Sequence, residues 1–295
     1  MEELWVSGDE VEAVVLPSVG GRLHRLRVFG QDLLRTPDDP EVHLRDPFFW
    51  GSYVMAPWCN RIEAGPARMG PRTVALGSNF ADGSAIHGQV YARAWEVVGD
   101  GELRISVAGD GWPWSYEVVQ RIDVRATSLR MNVTLVNRSD EPMPAGIGLH
   151  PWFRRPVLVA IRGDAVYASN ADSRAHPDPV RGAFDLRRMG EMALDLDATW
   201  THLADPTVEL QWPTLGVAAI MSIESPTLCV VAASPGSLDA IAVEPQTHAP
   251  QGLRRLLNGE QDGLAMLDPG QALELAVELA FERTPDARSA LRGSP

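Results

Sequence analysis

Apolar residues at every second position recur along this chain, and this spacing restricts the fold more than any other feature. Strict alternation covers Leu103–Val107 and Leu129–Leu135, and similar patterns cover Tyr116–Val124 and Leu273–Phe281. Because successive side chains of a β-strand point to opposite faces, such segments are typical of half-buried strands in antiparallel sheets. Clusters of turn-forming glycine, asparagine, aspartate and serine separate them. The pattern favours an all-β sandwich of many strands.

The organisation of the chain favours one domain. No linker-like stretch and no repeat of fixed period divides the 295 residues, so we expect a single domain over residues 1–282. Residues 283–295 are expected to form a flexible C-terminal tail. The polar, proline-containing segment Asn170–Pro179 is typical of a long surface loop. Long amphipathic helices are not predicted, and Arg254–Asn258 predicts one short helical turn.

Composition excludes several classes of function. The net charge is −13 without a basic stripe, which argues against nucleic acid as a partner. All 26 basic residues are arginine, so Schiff-base chemistry, pyridoxal phosphate attachment and a P-loop lysine are excluded. Cys59 and Cys229 lack metal-binding spacing and are expected in the core. An acidic N-terminal segment and the lack of a long apolar run predict a cytoplasmic protein that does not enter a membrane.

A single carboxylate interrupts an otherwise apolar strand near the C-terminal end of the chain. Glu244 follows directly on Ala240–Val243 and precedes Pro245. Burying a charged carboxylate costs several kcal/mol unless the group is paired or used, so this position predicts a functional residue. The alternative is a solvated Glu244 at the start of a loop that Pro245 opens.

Two further polar side chains have rigid or small neighbours. Arg61 follows a proline–tryptophan pair, and its guanidinium could bind two oxygens of a ligand. A surface ion pair is the alternative for this residue. His87 precedes Gly88, and the glycine would let a ligand or another part of the backbone approach the imidazole. An ordinary loop histidine is the alternative here.

A third polar segment holds a histidine among glycines and aromatic residues. Within Gly146–Phe153, two glycines precede His150 and two aromatic residues follow it. Such neighbours hold an imidazole stiffly in an apolar wall, where it could donate or accept a proton near neutral pH. A hydrogen-bonded core histidine is the alternative. Asp195 and Asp197 would share one side of a strand, although most such acidic pairs are solvated.

Taken together and in this order, the segments resemble the aldose 1-epimerase (galactose mutarotase) family. Pro57-Trp58-Cys59-Asn60-Arg61-Ile62 is similar to its Pro-Trp-x-Asn-Arg-Ile segment, Ile86-His87-Gly88 to its His-Gly segment, His150-Pro151-Trp152-Phe153 to its His-Pro-aromatic-Phe segment, and Val243-Glu244-Pro245-Gln246-Thr247 to its Glu-Pro segment. The resemblance covers nearly the whole chain, from Val11 to Phe281. The ordered combination is far more specific than any one segment.

This resemblance implies a many-stranded antiparallel β-supersandwich with a sugar cleft across one face. By matching position it implies Glu244 as catalytic base, His150 as catalytic acid, and Arg61, His87 and Asp197 as sugar ligands. Asp197 is preferred to Asp195 because Trp200 supplies the aromatic residue that usually follows three positions later. The implied partner is a small sugar, and no cofactor or metal is implied.

The implied reaction interconverts the α and β anomers of an aldose. A base removes the proton of the C1 hydroxyl, an acid protonates the ring oxygen, and the ring opens to an aldehyde that can close again from its other face. Opposite charges in proximity are expected to favour an ionised carboxylate and a protonated imidazole. Trp50, Trp58 and Trp152 are candidates to face the C–H surface of the sugar.

Other functions remain open on the same residues. A non-catalytic carbohydrate-binding sandwich would need aromatic residues and Arg61, but not a converging acid and base. A glycosidase would place Glu244 and Asp197 on either side of one bond. A metal hydrolase would use His87, His150 and Asp197, although these lack a compact metal-binding spacing.

The identity of the sugar is also open. Trp152 stands where the family often has tyrosine, and the region from Asn170 to Phe184 matches the family poorly. An epimerase of a phosphorylated or otherwise modified hexose would require further cations at the rim of the cleft. Four arginines of the sequence are candidates for these cations: Arg154, Arg155, Arg187 and Arg188.

Overall fold

The segments with period-two alternation form antiparallel strands in the computed structural model, which describes residues 1–169 and 176–285. The strands are β1 (Leu4–Ser7), β2 (Val11–Leu16), β3 (Arg22–Val28), β4 (Gln31–Asp32), β5 (Ser52–Met55), β6 (Arg61–Ile62), β7 (Gly65–Met69), β8 (Arg72–Leu76), β9 (Ala85–Ile86), β10 (Glu96–Gly99), β11 (Glu102–Gly109), β12 (Trp112–Arg125), β13 (Ser128–Asn137), β14 (Met143–Ala145), β15 (Gly148–Arg154), β16 (Leu158–Tyr167), β17 (Asp178–Pro179), β18 (Asp197–Trp212), β19 (Val217–Glu224), β20 (Cys229–Ala233), β21 (Ala240–Gln246), β22 (Ala265–Leu267) and β23 (Ala272–Arg283). The helices are α1 (Val42–Arg45) and α2 (Gly252–Leu257), with one 3-10 turn at Gly182–Phe184. The all-β prediction is confirmed.

Alternation in the sequence becomes alternation in burial. Along β12 and β13 nearly every second residue is buried, while its neighbours are partly exposed. The antiparallel register places Val118 opposite Leu135 and Ile122 opposite Met131. Each of these pairs buries apolar surface on the same side of the sheet, so these strands present one continuous apolar face to the core.

One long strand converts the sheet into two layers. β10, β11, β12, β13, β23, β19 and β18 pair in that order, each antiparallel to the next. The second layer continues from β18 through β20, β21, β15, β5, β3 and β2 to β1. Strand β18 belongs to both layers, because Val208–Trp212 pairs with β19 and Asp197–Trp200 pairs with β20. The sheet therefore curls around a single apolar core.

The remaining sequence predictions have mixed outcomes. The predicted helical turn is present as α2, which begins at Gly252. Cys59 and Cys229 are buried, as expected, and both are free cysteines. The predicted loop at 170–179 falls largely on residues 170–175, which lie outside the described residues, and its described end contains β17. Of the predicted tail at 283–295, residues 286–295 lie outside the described residues, and β23 extends to Arg283.

The helices of the described residues are short connectors. They contain four residues in α1 and six in α2, and neither is long and apolar enough to cross a membrane. The fold is built from the paired strands.

Strands β15 and β21 are covered on both faces. All seven residues of β21 are buried, as are six of the seven in β15. Leu149, Ile241 and Val243 point into the core between the layers. Trp152 and Ala242 lie on the other face, in a separate apolar cluster. A polar side chain on that second face is therefore buried without belonging to the core.

Gly148 marks the tightest point between these strands and their neighbours. A Cβ atom at this position would lie 2.8 Å from both Cys59 Sγ and Met55 Cε, and 2.9 Å from the carbonyl oxygen of Pro245. These distances are shorter than ordinary van der Waals contact, so only glycine allows the three segments to pack this closely.

Replacing Gly148 by alanine is expected to lower the free energy of unfolding by about 1–3 kcal/mol, because the added methyl overpacks this junction. Gly77→Ala is the matched control, since nothing lies within 4 Å of a Cβ at that position. Urea denaturation of the wild type and both variants measures the difference. Equal stability of the two alanine variants would contradict the tight packing at Gly148.

Candidate active site

Three neighbouring strands place a row of side chains across the outer face of the second layer. Strand β15 lies between β5 and β21, and Tyr53 is directly opposite His150. In the register of β15 with β21, Trp152 is opposite Ala242, which puts His150 opposite Glu244. Side chains directly opposite each other in antiparallel strands are in contact. The sheet register itself therefore brings the predicted acid and base together.

Glu244 and His150 form a buried pair. The Nε2 atom of His150 lies 3.3 Å from Oε1 of Glu244, and their side chains are 5% and 4% exposed. The amide nitrogen Nε2 of Gln246 donates a hydrogen bond of 2.9 Å to Oε2 of Glu244. Since Glu244 lies inside β21, the alternative of a solvated loop residue is wrong.

Aromatic rings surround the imidazole of His150. The ring of Tyr53 stacks on it, with centroids 4.7 Å apart and planes 27° apart. Trp152 is tilted against it at 5.1 Å, and His87 meets it edge-on at 4.9 Å. These contacts restrict rotation of the imidazole and exclude water from it.

Burial controls the protonation of the pair. It raises the pKa of Glu244 well above the usual range, Asp197 raises it further, and a hydrogen bond from Gln246 and the charge of Arg61 oppose the rise. Burial lowers the pKa of His150 to about 3. Each desolvated group prefers its neutral form. These directions differ from the expectation of an ionised carboxylate beside a protonated imidazole, because burial favours the neutral carboxyl group and the neutral imidazole.

Arg61 lies at the edge of the same cleft, held by a carboxylate from another loop. Its Nε donates a 2.6 Å hydrogen bond to Asp82, and Nη1 donates one of 3.3 Å to Oδ1 of Asn60. Burial would raise the pKa of Asp82, but hydrogen bonds from Ser84 and Arg61 outweigh it and lower this pKa to about 2. Nη1 is also 3.7 Å from Asp197. Arg61 therefore forms the ion pair that was the alternative for this residue, and it also lines the cleft. The ion pair fixes the direction of the guanidinium.

His87 enters the site from a strained turn. Its φ is +61°, and its backbone N–H donates to the carbonyl of Asn60 at 3.1 Å. Gly88 follows with φ +75°, and a Cβ there would lie only 2.0 Å from the carbonyl oxygen of Ala56. The glycine therefore allows close approach of another backbone segment, one of the two possibilities predicted from the sequence. Burial, followed by the nearby His150 and Arg61, lowers the pKa of His87 well below its usual range, so this ring is neutral.

The two aspartates occupy different positions at the cleft. The Oδ1 atom of Asp195 accepts a 2.8 Å hydrogen bond from the N–H of Gly236, across a loop. Asp197 begins β18 and faces Arg61, with a side chain that is 44% exposed. Both line the cleft, and the contact with Arg61 places Asp197 beside the other predicted ligands.

The cleft has the size of a small-molecule site. Its volume is about 280 Å³, near the lower end of the range for ligand pockets, about 300–1,000 Å³. All five predicted site residues line it: Arg61, His87, His150, Asp197 and Glu244. Phe48, Phe49 and Phe80 form apolar walls together with Trp152. A pocket with apolar walls and a few converging polar groups is typical of a site for a small molecule.

The other two candidate tryptophans do not line this cleft. Trp50 packs under the guanidinium of Arg35, which lies 3.4 Å from its ring centroid. Trp58 lies in the core, with its ring centroid 5.1 Å from that of Trp112. Of the three tryptophans proposed from the sequence, Trp152 is the one at the site.

None of the four arginines considered for phosphate binding lines the cleft. Arg155 donates a hydrogen bond to Ser234, and Arg187 is paired with Asp185. Arg154 and Arg188 are exposed. Within residues 1–169 and 176–285, no group of three or more His, Cys, Asp or Glu side chains is arranged to hold a metal ion.

Several side chains at the site have weak or absent sequence signals. Tyr53 contacts His150 across two paired strands, which requires the register, whereas Gln246 contacts Glu244 two residues away within β21. Asp82 lies 21 residues from its partner Arg61, in a polar loop that gives no sign of its role. Asn60 stands within the matched Pro-Trp-x-Asn-Arg-Ile segment, so the motif could have identified it.

The comparisons with known proteins agree with this geometry. The sequence profile of the family described as aldose 1-epimerase matches residues 5–279. The uncharacterized protein YphB of Escherichia coli (strain K12) is 22% identical over 248 residues, which cover 78% of this chain and 83% of that protein.

Solved structures show the same fold. A galactose mutarotase-like protein from Clostridium acetobutylicum has a TM-score of 0.80 at 20% identity, over 95% of each chain. A galactose 1-epimerase from Lactobacillus acidophilus NCFM has a TM-score of 0.74 at 18% identity, over 94% of this chain and 92% of that one. The prediction of a mutarotase-like β-supersandwich is confirmed.

The buried histidines predict a strong dependence of stability on pH. Five of the seven histidines are buried, and burial lowers the pKa of each: His24, His43, His87, His150 and His248. Such groups bind fewer protons in the folded than in the unfolded state below about pH 6.5, so stability is lost as the pH falls. Glu244 has the opposite sign, because its raised pKa retains a proton on folding, and it offsets one histidine.

The free energy of unfolding is therefore expected to fall between about pH 7 and pH 5, with each neutral histidine contributing up to about 1.36 kcal/mol per pH unit. Urea denaturation at intervals across this range measures the slope. A free energy of unfolding that does not change over this range would mean that these imidazoles take up protons as readily in the folded protein as in the unfolded chain.

Proposed function

The chain belongs to the aldose 1-epimerase family, and we propose that it interconverts the α and β anomers of a free aldohexose such as galactose or glucose. The observation that carries this proposal is the pair of Glu244 and His150, buried 3.3 Å apart in a cleft of monosaccharide size. An acid and a base that share one proton are what ring opening and closure of an aldose need. A site that only bound sugar would have no use for such a pair.

The bound sugar selects the reactive form of the pair. A C1 hydroxyl that donates a hydrogen bond to Glu244 stabilises the carboxylate, and a ring oxygen that accepts one from His150 stabilises the imidazolium. Binding thus moves the single proton from carboxyl to imidazole. This transfer needs no exchange with bulk water, since both side chains are almost completely buried.

Ring opening then proceeds by two proton transfers. Glu244 takes the proton of the C1 hydroxyl, the electron pair of the C1–O5 bond moves to O5, and O5 takes the proton of His150. The products are an open-chain aldehyde, a neutral carboxyl group and a neutral imidazole. After rotation about the C1–C2 bond, the same steps in reverse close the ring on the other face. Each positioned proton-transfer group is typically worth about 10²–10⁴-fold in rate.

Three side chains serve as ligands of the sugar hydroxyls in this proposal. Arg61 offers its Nη groups, because Asp82 holds Nε. Neutral His87 can donate or accept one hydrogen bond, and Asp197 accepts from hydroxyls at the open end of the cleft. Such contacts fix the C1–O5 bond between the acid and the base.

The charge of the cleft favours a neutral sugar over a phosphorylated one. Arg61 is the one arginine among the lining residues of the described chain, and it already contacts Asp82 and Asp197. A phosphate group would meet the carboxylates of Asp195 and Asp197 without an uncommitted cation to balance its charge.

Glu244→Gln and His150→Asn are each expected to lower kcat by at least about 10²-fold, since each removes one proton-transfer group while keeping a polar side chain. Polarimetry of freshly dissolved α-galactose and α-glucose, corrected for spontaneous mutarotation, measures the rate. The double variant should be little slower than either single one, because the two groups act as a unit. Circular dichroism checks the folding of each variant.

Near-normal mutarotation by folded Glu244→Gln would remove this residue from the reaction. The wild-type protein could instead bind sugar without accelerating the mutarotation of galactose or glucose. That result would favour a non-catalytic binding function.

Arg61→Ala is expected to raise KM, with a smaller effect on kcat, because the guanidinium contacts hydroxyls whose protons do not move. Arg162→Ala is the matched control, since Arg162 forms an exposed ion pair with Glu209 outside the cleft. Initial rates over a range of sugar concentrations separate the two constants. An unchanged KM in Arg61→Ala would show that this side chain does not bind the substrate.

A further inference from the structure

A fully buried cation lies in the same row of side chains as the acid and the base. Arg22 is 0% exposed, and no carboxylate of the described residues lies within ion-pair distance of it. Its Nη atoms donate hydrogen bonds to three carbonyl oxygens: Trp50 at 2.7 Å, Pro47 at 2.7 Å and Tyr91 at 3.3 Å. Burial lowers the pKa of Arg22 to about 10, so it remains charged at neutral pH.

Asp46 partly offsets the effect of burial on the pKa of Arg22 but forms no ion pair with it. Burying a charge without an ion-pair partner is costly, so this position requires a reason. An apolar side chain could fill the same space without that cost. The proposed mechanism leaves Arg22 unused, because the residue does not line the cleft.

The register shows what Arg22 contacts. Strand β3 is the neighbour of β5, and Leu23 is opposite Ser52. Arg22 is therefore opposite Tyr53, and its guanidinium carbon lies 4.5 Å over the centroid of the Tyr53 ring. His150 stacks on the same ring from the neighbouring strand on the other side. The row across β3, β5, β15 and β21 is thus cation, phenol, imidazole and carboxylate.

A second set of contacts fixes the same rings. The carbonyl oxygen of Phe48 accepts hydrogen bonds from the hydroxyl of Tyr53 at 3.2 Å and from Nε1 of Trp152 at 2.6 Å. These are the two rings that pack against His150. Arg22 holds the carbonyls on both sides of Phe48, those of Pro47 and Trp50. It therefore supports the segment that orients both rings.

We propose that Arg22 and Tyr53 form a positioning pair for His150, in which the buried cation holds the phenol ring face-on against the imidazole and so keeps Nε2 directed at Glu244. This inference rests on the proposed function. Neither residue exchanges protons with the sugar, and both act through the orientation and the charge state of the imidazole.

The charge of Arg22 also reaches His150. The groups that face this imidazole are Glu244 from β21, Tyr53 from β5, His87 from the loop after β9, and Arg22 behind Tyr53. Besides burial, the field of Arg22 lowers the pKa of His150. Removing this cation should raise the pKa of His150. The imidazolium would then be easier to form but a weaker acid toward O5.

Arg22→Met tests the pair, with Arg255→Met as the matched control. Arg255 is 3% exposed, donates to the carbonyl of Pro250 and lies 4.8 Å over the ring of Tyr167, away from the cleft. It differs from Arg22 in that it also forms a 2.9 Å ion pair with Glu260. We expect Arg22→Met to lower kcat at least about 10-fold with KM changed less than about 2-fold, because positioning affects the proton transfers rather than sugar binding. Both limbs of the pH profile of kcat/KM should move to higher pH.

A measurement without turnover separates this inference from the proposed function. Nitrogen-15 spectra of the histidine rings, with the His150 signals identified by their loss in His150→Asn, report its protonation. At the lowest pH at which all three proteins remain folded, the protonated fraction of His150 should be about 10-fold larger in Arg22→Met than in the wild type and in Arg255→Met, as expected for a pKa shift of about one unit. If this shift occurs but no form of the protein catalyses mutarotation, the positioning pair stands and the proposed function fails.

Tyr53→Leu and Tyr53→Phe carry the test if Arg22→Met does not fold. Leucine removes the ring between the cation and the imidazole, and phenylalanine removes only the hydroxyl that bonds to Phe48. The loss of kcat should be larger for Tyr53→Leu than for Tyr53→Phe, with KM nearly constant in both. Unchanged kcat and an unshifted His150 in Arg22→Met, or equal losses in the two Tyr53 variants, would overturn the proposal.

Discussion

The burial of one carboxylate beside one imidazole is the constraint on which this structure depends. Burial shifts the pKa of Glu244 upward and that of His150 downward, so the neutral form of each group is favoured in the absence of a ligand. Charged partners at this depth would pay a large desolvation cost. Neutral forms reduce that cost, and in the proposed reaction a sugar that supplies both a hydroxyl donor and an oxygen acceptor restores the charged forms.

The fold provides this environment by covering β15 and β21 on both faces. One face of each strand completes the apolar core, and the other face is enclosed by short elements that carry Arg61 and His87. The large sheet thus sets the distance between acid and base, while the loops set the shape of the opening. This division agrees with the general tendency of rigid sheets to hold catalytic geometry and of loops to vary specificity.

Sequence reasoning was most successful where the physical signal was local. The strands at Leu103–Val107 and Leu129–Leu135 could be predicted because burial alternates with period two, and Glu244 because it is the one charge in an apolar strand. The sharing of β18 between two layers could not be predicted, since it depends on pairings between distant segments. The predicted protonation of the pair disagrees with the directions of both pKa shifts for a similar reason: attraction between opposite charges can be inferred from a sequence, but the depth of burial that opposes it cannot.

The order of the strands has a consequence for how this protein is made. Each strand of the row that holds Arg22, Tyr53, His150 and Glu244 comes from a different part of the chain, and the first and the last of them are far apart in sequence. Closing such long loops before any contact is gained makes folding slow. A chain in which β21 is not yet paired with β15 cannot contain the cleft, so the return of the proposed activity during refolding would report the final assembly of the sheet rather than an early step.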